Sequence, residues 1–229
     1  MFLRFQRPIV PLSAAILAAT ALAGCGRPES NSTVAAAEAA NTADPRVQSA
    51  DADRIKGDSA AKVWLIVVSD FQCPWCKRWH DETAPRVLRE YVETGKVRVA
   101  YVHYPLDMHP HAVPAAEASM CAAAQGKFWQ YHDSLFASQE EWAPLRNSAP
   151  VFERLAGSIG LDTTAWSQCL RDDVMLGMIQ ADIDRGKQAG ARSTPTFFVD
   201  QRMVAGAAPF PSFKVALDSA LAEAERGGR

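Results

Sequence analysis

Two cysteines two residues apart, in Cys73-Pro74-Trp75-Cys76, are the residues of this 229-residue chain that most directly indicate chemistry. Thiols at this spacing can form a reversible disulfide, and a thiolate is the reactive species. One alternative is a structural disulfide, although so short a loop would hardly restrict the unfolded chain. The other is a zinc site, which needs two further ligands, and the sequence has no second C-x-x-C pair. We therefore expect a redox-active pair, with no metal ion and no other cofactor.

The pair lies between a predicted strand and a predicted helix. Residues 63–68 form an apolar run rich in β-branched side chains, which is typical of a strand buried on both faces. A helical pattern begins at Pro74, which suits the first turn of a helix, and Pro85 is expected to kink it. Cys73 would then meet the N-terminus of the helix, where free N–H groups and the helix dipole lower the pKa of a thiol. Cys73 is therefore the predicted nucleophile, and Cys76 is the predicted resolving thiol.

The first residues are typical of an export signal. Two arginines precede an uncharged apolar run over residues 9–24, which is shorter than the roughly 20 residues of a transmembrane helix. Residues 22–25 (LAGC) resemble a bacterial lipoprotein signal, which implies cleavage of residues 1–24 and a lipid on Cys25. The alternative is an ordinary cleaved signal followed by an incidental cysteine.

Residues 25–57 are predicted to be a flexible linker. They are rich in Ala, Ser, Asn, Asp and Glu and contain no aromatic residue, so they cannot bury enough apolar surface to offset the entropy of ordering. We expect them to join a lipid anchor to a folded domain, which predicts a membrane-anchored lipoprotein of the periplasm or cell envelope. The formal net charge is −2 and no basic cluster occurs, which argues against a nucleic acid partner.

Four cysteines remain when Cys25 is taken as the lipid attachment site. Export would place them in an oxidising compartment, where disulfides persist. The short spacing of Cys73 and Cys76 favours that pair, which leaves Cys121 and Cys169 to form a structural disulfide. Closing that long loop would restrict the unfolded chain by about 4 kcal/mol. The alternative is that Cys121 and Cys169 are buried free thiols in a helical core.

The remaining pattern predicts a second strand over residues 96–104, a helical block, a hairpin near the C-terminus and a final helix. This order resembles a thioredoxin fold with a helical insertion, an α/β architecture found in the DsbA-like family of exported thiol:disulfide oxidoreductases. The segments that carry the resemblance are SDFQCPWC at 69–76, PLDMH at 105–109, QGKFW at 125–129 and TPTF at 194–197. It implies a thioredoxin-like domain over 58–105 and 191–226 and a helical insertion over 106–190.

The resemblance also implies the roles of residues around the dithiol. Pro195 would be preceded by a cis peptide bond and face the dithiol, which would leave the backbone of Thr194 free to pair with an extended substrate chain. The alternative is a trans proline that opens an edge strand. Pro74 and Trp75, inside the motif, would tune the reduction potential and face the substrate.

One position departs from the family pattern. DsbA-like proteins commonly bury an acidic residue six positions before the first cysteine, where it assists proton transfer, and here that position is Val67. Asp70 is expected in the following loop as a cap. Without a buried acid, protons would have to reach Cys76 through water or Lys77. The departure leaves the direction of the reaction open.

The resemblance implies an enzyme that forms disulfide bonds in reduced or misoxidised exported proteins and is reoxidised by a membrane redox partner. One alternative is a disulfide reductase or isomerase. Another is a metal-binding chaperone that uses Cys73, Cys76 and a nearby histidine. Weaker candidates are His109 and His111, which are expected to be loop or cap residues. Four aromatic residues are expected in the helical core: Trp129, Tyr131, Phe136 and Trp166.

Overall fold

The computed structural model describes residues 44–227, which contain a five-stranded mixed sheet. The strands are β1 (Ile55–Lys56), β2 (Val63–Ser69), β3 (Val97–His103), β4 (Thr196–Val199) and β5 (Arg202–Ala205). Their order across the sheet is β1-β3-β2-β4-β5, with β2 parallel to β3 and the other pairs antiparallel. The predicted α/β class is therefore confirmed.

Strand β2 is the central strand and leads directly into the dithiol. Val63, Leu65 and Val67 alternate along one face and are all buried. In the parallel register Val67 lies opposite Tyr101 and Ser69 lies opposite His103. Since side chains alternate between faces along a strand, Val67 and Ser69 share the face that carries these partners.

The other regular elements of the described chain are helices. They are α1 (Pro45–Asp53), α2 (Pro74–Glu82), α3 (Ala84–Val87), α4 (Ala112–Ala123), α5 (Phe128–Ala137), α6 (Gln139–Trp142), α7 (Ala149–Ser158), α8 (Thr163–Arg171), α9 (Leu176–Gln188) and α10 (Phe210–Gly227). A π-helical turn, Leu88–Val92, continues α3. Helices α4 to α9 lie between β3 and β4 in the sequence and form the helical insertion. None of the helices within residues 44–227 is long and apolar enough to span a bilayer.

Pro85 divides the long helix that the sequence predicts after the dithiol. A proline has no N–H to bond the carbonyl four residues earlier, so it is tolerated only in a first turn. Helix α2 therefore ends at Glu82, Thr83 forms the junction, and Pro85 lies in the first turn of α3.

The prediction of a flexible linker is wrong for residues 44–57, because this stretch forms α1 and β1. The Asp44 carboxylate caps α1 by accepting a hydrogen bond from the Arg46 N–H, and Pro45 opens the helix. Val47 and Ala50 are buried where α1 packs against α4, which is itself rich in alanine. Small side chains on both helices allow close packing, so few large apolar residues are needed. The predicted signal peptide, Cys25 and residues 25–43 of the predicted linker lie outside the described residues.

A buried ion pair fixes this N-terminal segment to the rest of the fold. Arg54, between α1 and β1, pairs with Asp182 of α9 and donates a hydrogen bond to the Tyr101 carbonyl oxygen. Asp182 also accepts a hydrogen bond from the His103 N–H, at 2.9 Å. Burial alone would raise the pKa of Asp182, but the Arg54 guanidinium outweighs it and the pKa is lowered.

The helical insertion is cross-linked and well packed. A disulfide joins Cys121 of α4 to Cys169 of α8, with 5.8 Å between their Cα atoms. Tyr131, Phe136 and Trp166 are buried in the core, as the sequence leads one to expect, and Trp129 is partly buried against it.

Candidate active site

Cys73 and Cys76 are both buried, unpaired thiols at the N-terminus of α2. Cys73 is the N-cap residue, with an extended backbone conformation, and Pro74 occupies the first turn. The Cys73 carbonyl accepts hydrogen bonds from the N–H groups of Cys76 and Lys77, so the side chain of Cys73 projects beside the open end of the helix. This is the position where free N–H groups and the helix dipole stabilise a thiolate.

The Cys73 thiol is more acidic than an ordinary cysteine thiol. A hydrogen bond from the Cys76 thiol contributes most, burial opposes it, and the Thr194 side chain and two backbone N–H groups add further hydrogen bonds. Together they lower the pKa of Cys73 from 9.0 to about 6. Roughly nine tenths of the Cys73 thiols would therefore be ionised at pH 7.

The Cys76 thiol behaves in the opposite way. Burial, followed by the neighbouring Cys73, raises the pKa of Cys76 well above 9.0. The Ser69 side chain and the Asp70 N–H partly offset this by hydrogen bonding to the thiolate, and the Asp70 nitrogen lies 3.5 Å from the Cys76 sulfur. One thiol is thus ionised and the other protonated at neutral pH, which suits a nucleophile and a resolving thiol.

The peptide bond between Thr194 and Pro195 is cis and lies against the dithiol. The Cys73 sulfur is 3.5 Å from the Thr194 carbonyl oxygen, to which the thiol can donate. The Thr194 hydroxyl is buried and has no hydrogen-bond partner within residues 44–227, so it is free to donate to a thiolate at Cys73. Both polar groups of Thr194 are therefore available to the reacting sulfur.

A buried carboxylate lies close to the dithiol, although not where the family pattern places one. The side chain of Asp70 is fully buried and accepts hydrogen bonds from the N–H groups of Gln72 and Leu106, at 2.7 and 2.9 Å. The Asp70 carboxylate also lies 2.7 Å from His109 Nδ1. Asp70 lies in the loop and acts as a cap, as expected, but the expectation that the site has no buried acid is wrong, because the capping carboxylate is fully buried.

These contacts fix the loop after β3 against the dithiol. His109 is held by Asp70, and the His111 N–H donates to the Gln72 side-chain oxygen at 2.7 Å. Nε2 of His111 lies 2.6 Å from the Leu145 carbonyl oxygen. Both histidines are loop residues, and they connect the dithiol loop to the helical insertion.

Beneath Cys76, Tyr101 faces the position that Val67 occupies. Tyr101 is buried and stacks on Phe71, with 5.2 Å between ring centroids. Burial, followed by the charge of Cys76, raises the pKa of Tyr101 well above 10.0, so the hydroxyl stays protonated. Lys77, which the sequence suggested as a proton route to Cys76, donates a hydrogen bond to the Asp81 carboxylate at 2.7 Å. Tyr101 was not predicted as a site residue, because its place opposite Val67 depends on the pairing of β3 with β2.

The helical insertion contributes directly to the dithiol loop. Gln139 Nε2 donates to the carbonyl oxygens of Phe71 and Cys73, at 2.7 and 3.1 Å. Trp75, Met108 and Leu145 are exposed apolar side chains. They lie on α2, on the loop after β3 and on the loop after α6, the three segments that the hydrogen bonds described above hold together. The sequence separation of these segments explains why the sequence could not group them.

Comparisons with known proteins agree with this geometry. A family model described as thioredoxin matches residues 49–219. Over 183 residues the chain is 36% identical to the Na(+)/H(+) antiporter NhaA 3 of Salinispora tropica. The matched region covers 78% of this chain but only 27% of the antiporter. The chain is 26% identical to a probable disulfide bond formation protein D of Bacillus anthracis, covering 72% of this chain and 76% of that protein.

A solved structure shows the same fold. The crystal structure of alpha-DsbA1 from Wolbachia pipientis matches with a TM-score of 0.69 and 23% sequence identity. The match covers 77% of this chain and 94% of that chain. The overall fold of this chain is therefore one already known from a solved structure.

Proposed function

The chain belongs to the thioredoxin family, whose model matches residues 49–219, and from this premise we propose that it is a DsbA-like exported enzyme that introduces disulfide bonds into substrate proteins. The observation that carries the proposal is the setting of the Cys73 sulfur, at the N-terminus of α2 and 3.5 Å from the Thr194 carbonyl oxygen. A stabilised Cys73 thiolate favours the reduced enzyme, and an enzyme whose reduced form is stabilised is a strong oxidant.

In the proposed reaction the enzyme begins with a Cys73–Cys76 disulfide. A substrate thiolate attacks the Cys73 sulfur, a bond between the two sulfurs forms, and the Cys73–Cys76 bond breaks. Cys76 leaves as a thiolate and takes up a proton, because its pKa lies well above 9.0. A second substrate thiolate then attacks the substrate sulfur of the mixed disulfide and releases Cys73 as a thiolate. The substrate has lost two electrons, and the cysteine pair has gained them.

Thr194 and Pro195 would form the wall on which the substrate lies, with the exposed Trp75 beside it. Extended segments of reduced or misoxidised exported proteins fit such a wall, because an extended backbone can pair with the backbone around a cis proline. A membrane redox partner would then accept the two electrons and restore the disulfide.

The location of the enzyme is part of the same proposal. The sequence of residues 1–25 supports export and lipid attachment at Cys25, which would hold the enzyme at the membrane of the periplasm or cell envelope. A tether would raise the local concentration of a membrane partner around the enzyme. Mass spectrometry of the protein purified from membranes would detect a diacylglyceryl group on Cys25.

The test of the chemistry is the oxidation of a reduced, unfolded peptide that carries two cysteines. We expect Cys73→Ser to abolish the reaction, because no sulfur remains to form the mixed disulfide. The matched control is a variant with both Cys121→Ala and Cys169→Ala, which loses two cysteines outside the site and keeps the activity. Oxidation of the peptide at an unchanged rate by Cys73→Ser would disprove the proposal.

The direction of the reaction follows from the reduction potential of the pair. Equilibration with glutathione buffers would give a value near −120 mV for a strong oxidant and near −270 mV for a reductase similar to thioredoxin. We expect the oxidising end, because the Cys73 thiolate is stabilised by several hydrogen bonds.

A further inference from the structure

A cluster of two histidines and one aspartate lies between the dithiol helix and the helical insertion. His80 belongs to α2, one turn beyond Cys76, and His132 and Asp133 belong to α5. Asp133 Oδ1 is 3.1 Å from His80 Nε2 and 2.8 Å from His132 Nδ1. The cluster takes no part in the proposed thiol chemistry.

The spacing of these three atoms suits a single metal ion. Zinc binds imidazole nitrogens at about 2.0–2.1 Å and carboxylate oxygens at similar distances, which places neighbouring tetrahedral ligands roughly 3.3 Å apart. The distances of 2.8 and 3.1 Å are close to that value, and all three atoms lie within 4.8 Å of one another. Small movements of exposed Asp133 would therefore bring one ion into contact with all three.

The second nitrogen of His80 is oriented in the manner of a metal ligand. His80 Nδ1 lies 2.8 Å from Asp81 Oδ1, and the other Asp81 oxygen accepts a hydrogen bond from Lys77 Nζ at 2.7 Å. A metal-binding histidine usually donates its free ring N–H to a carboxylate, which fixes the ring and directs the other nitrogen at the ion. Here that arrangement directs Nε2 toward Asp133.

A cavity beside the cluster provides room for a further ligand. It has a volume of about 370 Å³ and is lined by all three cluster residues. The indole nitrogens of Trp79 and Trp129, whose side chains also line the cavity, are buried and have no hydrogen-bond partner within residues 44–227. Buried polar groups without partners are uncommon in proteins, and these two line the same cavity as the cluster.

We propose that His80, His132 and Asp133 form a binding site for a divalent transition metal ion, with Zn²⁺ as the best match. Imidazole nitrogen with one carboxylate suits Zn²⁺ and its neighbours in the first transition series, whereas Ca²⁺ and Mg²⁺ prefer oxygen ligands. Three protein ligands and one water would complete a tetrahedron. The ion would tie α2, which carries the dithiol, to α5 of the helical insertion.

The experiment is a titration of the metal-free full chain with ZnCl₂, in which isothermal titration calorimetry measures the binding. The Cys73–Cys76 pair is kept oxidised so that its thiols cannot bind the ion. We expect one Zn²⁺ per chain in the wild type. Asp133→Asn should weaken binding at least tenfold, because the neutral amide is a poor ligand, and His132→Gln should do the same. His111→Gln, a loop histidine outside the cluster, is the matched control and should bind as the wild type does.

Thermal unfolding provides a second measurement that a merely structural role would not affect. Zn²⁺ should raise the melting temperature of the wild type and His111→Gln but not that of Asp133→Asn, since only a folded site binds the ion. Asp133 is exposed, so this variant should keep its circular dichroism spectrum even if His132→Gln does not fold. Absence of Zn²⁺ binding in the wild type, or undiminished binding in Asp133→Asn, would overturn the proposal. Neither result concerns peptide oxidation, which is assayed without metal.

Discussion

The Thr194 hydroxyl gives a sharp test of how the site makes Cys73 acidic. The Cys76 thiol contributes most to the lowered pKa of Cys73, and the Thr194 side chain adds a further hydrogen bond to the thiolate. Thr194→Val removes only that hydroxyl and keeps the shape of the side chain. A hydrogen bond to a charged group contributes about 1.5–3 kcal/mol, which corresponds to about 1–2 pKa units. The pKa of Cys73 should therefore rise from about 6 to roughly 7–8.

The same change predicts a weaker oxidant. At pH 7 the ionised fraction of Cys73 should fall from about nine tenths to between roughly one tenth and one half. The reduced enzyme would lose about 1.0–1.4 kcal/mol of stabilisation, so the reduction potential should become about 20–30 mV more negative. The two measurements must agree, because they report the same loss of thiolate stabilisation.

The assay is the rate of alkylation of the reduced protein by iodoacetamide as a function of pH, which follows the thiolate of Cys73. The matched control is Thr196→Val, which also removes a buried threonine hydroxyl, but one that donates to the Ser193 carbonyl oxygen at 2.7 Å. Its pH profile should match the wild type. An unchanged midpoint in Thr194→Val, or equal shifts in both variants, would refute the reasoning.

Three further results are expected. Replacing Cys121 and Cys169 with alanine should lower the free energy of unfolding by up to about 4 kcal/mol in urea, and an unchanged value would show that the disulfide restricts little. Arg54→Met should cost about 3 kcal/mol in the same assay, because it leaves Asp182 buried without its main partner, and a neutral effect would contradict that reason. The folded pKa of Cys73 is depressed, so its stabilising contribution is complete above the unfolded value of 9.0 and is lost as the pH falls through about 6. Reduced protein should therefore lose stability relative to oxidised protein from pH 9 to pH 6, and parallel curves would contradict the shift.

Local patterns in the sequence predicted the elements next to the dithiol. The apolar run became β2, Pro74 began α2 with Cys73 at its N-cap, and the hairpin of β4 and β5 lies where the C-terminal pattern placed one. These features depend on a few neighbouring residues, whose propensities act directly on the backbone. The α/β class followed from the order of these elements along the chain, and the resemblance to the DsbA-like family rested on the segments at 69–76, 105–109, 125–129 and 194–197.

Features that depend on distant partners were not predictable. Asp70 was expected in the loop as a cap but not as a buried acid, and its burial depends on the Leu106 N–H from the loop that follows β3. The segment around Val47 was expected to be flexible, and it folds because α4 offers a surface of small side chains. His80 and His132 are far apart in the sequence, so no spacing rule could join them.

The pairing of the cysteines has a consequence for how the chain matures. Within the described residues Cys121 is bonded to Cys169, the next cysteine in the sequence, and the proposed redox partners Cys73 and Cys76, which are free thiols in this structure, are also consecutive cysteines. If the chain is exported, its N-terminal side meets the oxidising compartment first, so each sulfur finds its native partner before a later one emerges. Such a chain can reach its correct bonds without reshuffling, and an enzyme that makes disulfides would not depend on an isomerase for its own.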